Sequence, residues 1–152
     1  MEIDQKIQFD LNNKLIHLLN ISNMSRQQII EILDLAETYA DNKKKKYSDL
    51  EGKTIASLFF EPSTRTKTTF ELASKRLSAD FINIDISSSS TLKGESIVDM
   101  IKTLEAMSCD MFIVRHSISG TAHYIAKEVG AKISVINAGD GIHAHPTQAM
   151  LD

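Results

Sequence analysis

The densest run of potential ligand-binding groups in this chain is Phe60-Glu61-Pro62-Ser63-Thr64-Arg65-Thr66. It follows an apolar stretch, Ile55 to Phe60, long enough for a buried strand. It precedes a helix-period segment that puts Phe70, Ala73 and Leu77 on one face. Pro62 stops the strand, and Ser63 and Thr64 are residue types that begin helices by accepting a bond from a backbone N–H. A helix starting there aims unpaired N–H groups and the positive end of its dipole at one spot. Arg65 and the hydroxyls of Ser63, Thr64 and Thr66 surround that spot with further donors, which suits a phosphate or another oxyanion. An ordinary capped helix with a solvated Arg65 accounts for this segment equally well, so the decision rests on what the rest of the chain brings to it.

Four candidate strands carry the chain: Thr54–Phe60, Phe81–Ile86, Met111–Arg115 and Ile133–Ala138. Helical patterns follow the first three, over roughly 63–78, 95–108 and 119–129, the last with Ala122, Ile125, Ala126 and Val129 at helical spacing. This alternation predicts an α/β fold, a four-stranded parallel sheet with helices on both faces. Phe81–Ile86 alternates apolar with polar and suits a sheet edge. Upstream, Leu15–Leu19 reads as a short helix. Ser25 and Gln28 form a capping box before a helix with Ile29, Ile32, Leu33, Ala36 and Ala40 on one side. Lys43–Lys46 reads as its solvated end, where cations suit the dipole. Pro146 opens a last helix, of which fewer than two turns precede Asp152. That brevity implies further residues or a partner chain beyond it.

In an open α/β sheet, ligands sit beyond the carboxyl ends of the strands. Ser63–Thr66 follows the first strand, and Ser87-Ser88-Ser89-Ser90-Thr91 with Lys93-Gly94-Glu95 follows the second. Arg115 and His116 end the third, and Gly139-Asp140-Gly141 through His145-Pro146-Thr147-Gln148 follow the fourth. Cations and donors thus collect at one rim from separate segments, as an anion-handling active site requires.

Several function classes are excluded. The chain has 152 residues, is 42% hydrophobic and carries a net charge of −3, enough for one core and unsuited to bulk nucleic-acid or acidic-membrane binding. No segment reaches the roughly 18 continuous apolar residues of a membrane span. With Cys109 as the single cysteine, no internal disulfide forms, and a reducing, cytoplasmic setting fits. Gly139 and Gly141 do not make a dinucleotide fingerprint, and no phosphate-loop motif is present. His143 and His145 are two potential metal ligands, but no cluster of Cys, His or carboxylate completes a set, so no metal is expected. His116 and His123 read as surface or satisfied histidines, and Cys109 as a packed hydrophobe. The serine run is either a linker or a loop that closes on ligand.

Taken together, Phe59-Phe60-Glu61-Pro62-Ser63-Thr64-Arg65-Thr66, Lys93-Gly94-Glu95-Ser96, Val114-Arg115-His116, and Asn137–Gly141 with His145–Gln148 resemble the aspartate carbamoyltransferase family. Order and spacing agree from about Ile3 onward, over the amino-terminal half of that family's catalytic chain only. The resemblance implies that residues 1–152 are a carbamoyl-phosphate-binding domain, with the second, aspartate-binding domain absent from this chain. It implies transfer of the carbamoyl group of carbamoyl phosphate to L-aspartate in pyrimidine biosynthesis, without a cofactor. Ser63, Thr64, Arg65 and Thr66 would hold the phosphate. Thr66, Arg115 and His145 would bond the carbonyl oxygen, and Gln148 with the backbone near Pro146 would orient the carbamoyl NH2. Ser89, or Ser90 with the loop aligned one residue differently, and Lys93 would reach a neighbouring subunit's site. Lys93 would also meet aspartate. This implies a homotrimer with shared sites; regulatory chains are left open. The isolated chain would bind carbamoyl phosphate weakly and turn over little.

Lys67, where the family often has arginine, and Ile142-His143-Ala144, before the site histidine, depart from the pattern. Ornithine carbamoyltransferase shares the Ser-Thr-Arg-Thr start and the His-Pro-x-Gln turn. The Gly139-Asp140-Gly141 run and Lys93-Gly94-Glu95 favour the aspartate enzyme. A non-catalytic module holding phosphate ligands is the alternative of another class.

Overall fold

A computed structural model describes residues 5–84, 86 and 96–152. Its strands are β1 (Thr54–Phe59), β2 (Asp80–Ile84), β3 (Met111–His116) and β4 (Ser134–Asp140). Its helices are α1 (Arg26–Ala40), α2 (Thr64–Arg76), α3 (Ile97–Ala106), α4 (Thr121–Glu128) and the single turn α5 (Pro146–Ala149). All strand pairs are parallel, in the order β2-β1-β3-β4, which leaves β2 at an edge as its alternating sequence predicts. The serine run with Ser89 and Ser90, and Lys93-Gly94-Glu95, lie outside the described residues.

The order dictates where the helices go. From β1 the chain steps to one side to make β2, then returns across β1 to make β3 and β4. Right-handed crossovers therefore put α2 on one face and α3 and α4 on the other. The core divides accordingly. Ala56, Leu58, Phe112, Val114 and Val135 pack with Met100, Ile101 and Leu104 of α3 and Ala122 and Ile125 of α4. On the opposite face Ile55, Ile113 and Ala138 meet the partly buried Phe70 of α2. The loops leaving β1 and β3, which are neighbours, depart toward opposite faces. This opens a crevice between their carboxyl ends, the switch point where such sheets bind ligands.

Three local expectations change. Leu15–Leu19 is not helical: Leu18 forms a parallel bridge to Ile136, its N–H donating to Val135 O and its carbonyl accepting from Asn137 N–H, both at 2.9 Å. His17 Nδ1 accepts the Val135 N–H at 3.0 Å. An outer strand with unpaired groups is a stronger claim on this segment than a marginal short helix. On α2 the buried residue is Ser74 and not Ala73, because the Ser74 hydroxyl donates to Phe70 O at 2.7 Å and carries no unsatisfied polar group inward. The lysines lie beyond the end of α1 at Ala40 and its cap Asp41, with Lys45 over the Tyr47 ring at 4.9 Å.

The Ser25–Gln28 capping box forms in both directions, at 3.2 and 2.8 Å. Yet α1 buries no residue: Leu33 and Leu35 are 41% and 55% exposed. Ser96 and Asp99 make a second capping box at the start of α3. Cys109 is buried and free, and burial pushes its thiol pKa up. Among the described residues, no helix is long and apolar enough to cross a membrane.

Candidate functional site

The crevice is built from the ends of β1, β3 and β4. Phe59 pairs with Arg115 across the β1–β3 ladder, and the Phe60 N–H donates to Arg115 O at 2.9 Å. The first residues after β1 therefore cannot move away from the end of β3. Glu61 adds a charge contact, its Oε1 2.8 Å from Arg115 Nε. The carboxylate lies off the Nε–H axis, so this is an ion pair without a well-formed hydrogen bond.

Beyond Pro62, Ser63 is the N-cap of α2 with φ −157° and ψ 81°, and its hydroxyl makes no capping bond. Expected to cap, it instead leaves its oxygen and the first-turn N–H groups of α2 without partners from one another. The first bond inside the helix runs from Lys67 N–H to Ser63 O at 3.0 Å. The N–H groups of Thr64, Arg65 and Thr66 come before that bond and have no intrahelical acceptor. Arg65 and Thr64 are exposed, and Ser63 and Thr66 are half-buried.

Arg115 and His145 come together over Gly139. Arg115 Nη1 donates to Ala138 O at 2.9 Å. A Cβ at Gly139 would lie 2.6 Å from that nitrogen and 3.4 Å from His145 Cδ2. Gly139 also has φ +117°, where side chains are strained, so the position both requires glycine and uses the space that glycine leaves. His145 is the N-cap of α5, with Pro146 in its first turn as the sequence predicts. Burial lowers the His145 pKa first and the Arg115 charge lowers it further, so its imidazole is neutral near pH 7. Its Nδ1 lies 3.3 Å from the Thr147 hydroxyl. When that hydroxyl donates, the ring proton is left on Nε2, making His145 a neutral hydrogen-bond donor.

The turn carrying His145 is anchored by Asp140, which is 1% exposed. Its Oδ1 accepts from the Ala144 N–H and from Asn137 Nδ2, both at 3.0 Å, and its Oδ2 accepts from the Gly120 N–H at 2.8 Å.

Of the residues singled out in the sequence, Ser63–Thr66, Arg115 and His145 thus belong to one rim. Gln148 is exposed, and its amide points to Asp152 Oδ1 at 3.5 Å, the limit of a hydrogen bond. Ser89 and Lys93 fall among the residues not described. Glu61, Gly139 and Thr147 gained no role from sequence, although each stands beside a residue that did. His116 is satisfied as expected: its Nδ1 accepts the Ile118 N–H at 2.9 Å, and its ring packs on Phe60 at 4.8 Å. Its pKa is lowered by burial, against the pull of Glu61.

The expectation that no histidine and carboxylate set assembles is overturned. His143 is joined not by His145 but by His123 and Asp140, with ligand atoms all within 4.8 Å of one another. The separation in sequence between α4 and the turn after β4 hid this grouping. His123 is neither a surface residue nor a fully satisfied one: it is 5% exposed, and its buried Nδ1 has no partner among the described residues.

The fold has counterparts among known proteins. A sequence model of the aspartate/ornithine carbamoyltransferase carbamoyl-P binding domain matches residues 16–152. The chain belongs to that family. Among solved structures, the catalytic subunit of M. jannaschii aspartate transcarbamoylase is 38% identical with a TM-score of 0.80, over 91% of this chain and 45% of that one. Aspartate transcarbamoylase from Trypanosoma cruzi in complex with aspartate and phosphate is 33% identical, TM-score 0.78, over 90% of this chain and 44% of that one. The same enzyme in complex with carbamoyl phosphate and aspartate gives 33% and 0.78, over 90% and 42%. This carbamoyltransferase domain therefore spans less than half the length of the structures it matches.

Proposed function

We propose that this domain holds carbamoyl phosphate for an aspartate carbamoyltransferase, with residues 1–152 as one of two domains of the complete enzyme. The observation that carries this reading is the meeting of Arg115 and His145 over Gly139, beside the uncapped start of α2. Carbamoyl phosphate is an anion at one end and a polar carbonyl at the other. Ser63, Thr64, Thr66, the α2 N–H groups and the Arg65 guanidinium suit the phosphate end. Thr66, Arg115 and the neutral His145 suit the carbonyl oxygen, where negative charge grows during attack. Gln148 orients the carbamoyl NH2 once its weak contact to Asp152 is given up.

The amino group of L-aspartate forms the new C–N bond to the carbamoyl carbon. The C–O bond to phosphate breaks, phosphate leaves with the electron pair, and the surplus amine proton passes to phosphate or water. No acyl-enzyme is needed, since the arrangement positions and polarises without supplying a nucleophile. Aspartate is favoured over ornithine as acceptor by the Gly139-Asp140-Gly141 run and by the aspartate transcarbamoylases among the matched structures. Ser89 and Lys93 from a neighbouring copy complete each site in a homotrimer, Lys93 also meeting aspartate. The product enters pyrimidine synthesis in the cytoplasm.

Calorimetric titration of the chain with carbamoyl phosphate tests the reading. One site per chain is expected, competed by inorganic phosphate and weakened about tenfold or more in Arg65→Ala and Arg115→Ala, each losing a charge-assisted donor. In the complete enzyme, Arg115→Ala should lower kcat with aspartate by about 10²–10³. Wild-type affinity in both variants would remove the proposed cradle.

A further inference from the structure

His123, Asp140 and His143 form a cluster that the carbamoyl-transfer reading does not use. The donors come from two independent elements, α4 and the end of β4 with its following turn, and their ligand atoms lie within 4.8 Å of one another. Asp140 Oδ2 and His143 Nδ1 are 3.2 Å apart. Two ligands bound to one tetrahedral zinc at about 2.0–2.1 Å stand about 3.3 Å from each other. That pair therefore already has the separation one ion would impose.

A plain hydrogen bond explains the Asp140–His143 contact equally well, but not His123. Its Nε2 is held by Asn20 Nδ2 at 3.2 Å, while its buried Nδ1 makes no bond among the described residues. A buried polar atom without a partner costs about 1–3 kcal/mol, which a coordinated cation would relieve. The surroundings also resemble those of a ligand set. Metal-bound histidines have their other nitrogen fixed by a neighbour, and metal-bound carboxylates are themselves hydrogen-bonded. Asn20 does the first, and the N–H groups of Gly120 and Ala144 do the second. The rings of His123 and His143 lie close, 5.4 Å apart in an edge-to-face arrangement at 67°. The His143 side chain is 27% exposed, which gives an ion a way in from solvent.

We propose that His123, Asp140 and His143 bind one divalent transition-metal ion, with zinc the best fit to two imidazoles, one carboxylate and an open fourth position. Coordination through His123 Nδ1 places that ring's proton on Nε2, so the Asn20 amide must turn to present its oxygen. The flip gives up one long bond, from the Asn23 N–H at 3.3 Å, while the Ser22 hydroxyl can reverse its bond with the Asn20 amide. The ion would tie α4 to the turn ending at His145, and so stiffen the mount of a rim residue without touching the anion.

The test uses the whole chain, freed of metal by a chelator and titrated with zinc against a chromophoric competitor. Cobalt serves as a second probe, since four-coordinate cobalt absorbs strongly in the visible. One zinc per chain is expected, with a raised melting temperature. His143→Ala, at an exposed position, should fold as the wild type does by circular dichroism. It should bind zinc less tightly by more than the about 10–100-fold lost with an outer-shell partner. His123→Gln should do the same, and His145→Ala should bind zinc as the wild type does. Failure of the wild type to take up zinc at micromolar free metal, or undiminished binding in His143→Ala, would overturn the proposal. So would loss of binding in His145→Ala equal to that in His143→Ala, which would assign the ion to the anion rim.

Discussion

Replacing Gly139 with alanine separates the stability of the sheet from the pairing of Arg115 with His145. The new methyl would lie 2.6 Å from Arg115 Nη1, 3.3 Å from its Cζ and 3.4 Å from His145 Cδ2. The first distance is about 1 Å inside the usual optimum for non-bonded heavy atoms, so the guanidinium must withdraw. Withdrawal breaks its 2.9 Å bond to Ala138 O and takes one donor from the rim. Losing a hydrogen bond to a charged group costs about 1.5–3 kcal/mol, which weakens carbamoyl phosphate binding by roughly 10–100-fold. Separately, φ +117° is strained for alanine, at about 1–3 kcal/mol. In a domain of this size that strain lowers the melting temperature by about 2–4 °C per kcal/mol. Gly52→Ala isolates the second effect. Gly52 has φ +76° but nothing within 4 Å of its added Cβ, and it precedes β1, at the opposite end of the strand from the rim. Scanning calorimetry and titration with carbamoyl phosphate on both variants give the two quantities independently. Both proteins should lose stability, and only Gly139→Ala should lose affinity. Wild-type affinity in Gly139→Ala, or an equal loss in Gly52→Ala, would refute the pairing of Arg115 and His145 as the source of binding.

Acidification should destabilise the chain from about pH 6.5 downward, the ordinary histidine value. Burial lowers the folded-state pKa of His17, His116, His123 and His145, so below that pH the unfolded chain binds protons that the folded chain refuses. Each such proton costs at most about 1.4 kcal/mol per pH unit, and less where water screens the ring. Melting temperatures measured between pH 7.5 and 5.5 should fall, and His17→Gln should flatten the slope; a flat wild-type profile contradicts the burial argument. In the core, Leu58→Ala, at a residue 0% exposed, should cost about 2–5 kcal/mol in denaturant unfolding. Leu72→Ala, at 50% exposed on α2, should stay within about 0.5 kcal/mol.

The strands and the helices that follow them were legible because each pattern is local. Ile55 to Phe60 is apolar except for Ser57 because β1 is buried on both faces, and Ala122, Ile125 and Ala126 repeat at helical spacing because α4 shows one side to the sheet. The rim was legible for the same reason: once the strands are parallel, every residue just beyond a carboxyl end belongs to one edge of the sheet. Misread segments depend on partners far away in sequence. Leu18 is extended because Val135 and Asn137 need bonds more than 110 residues later, which no periodicity within Leu15–Leu19 records. The expected fourth strand stops at Ala138, yet β4 runs on to Asp140, whose carboxylate holds the turn after it. His123 shows both sides of this limit. Its neighbours Ala122, Ile125 and Ala126 put it on or near a buried helix face, so its burial could be read from spacing. That it would there face Asp140 and His143 could not, because the meeting is set by the crossover from β3 through α4 to β4 and by the sharp turn after Asp140.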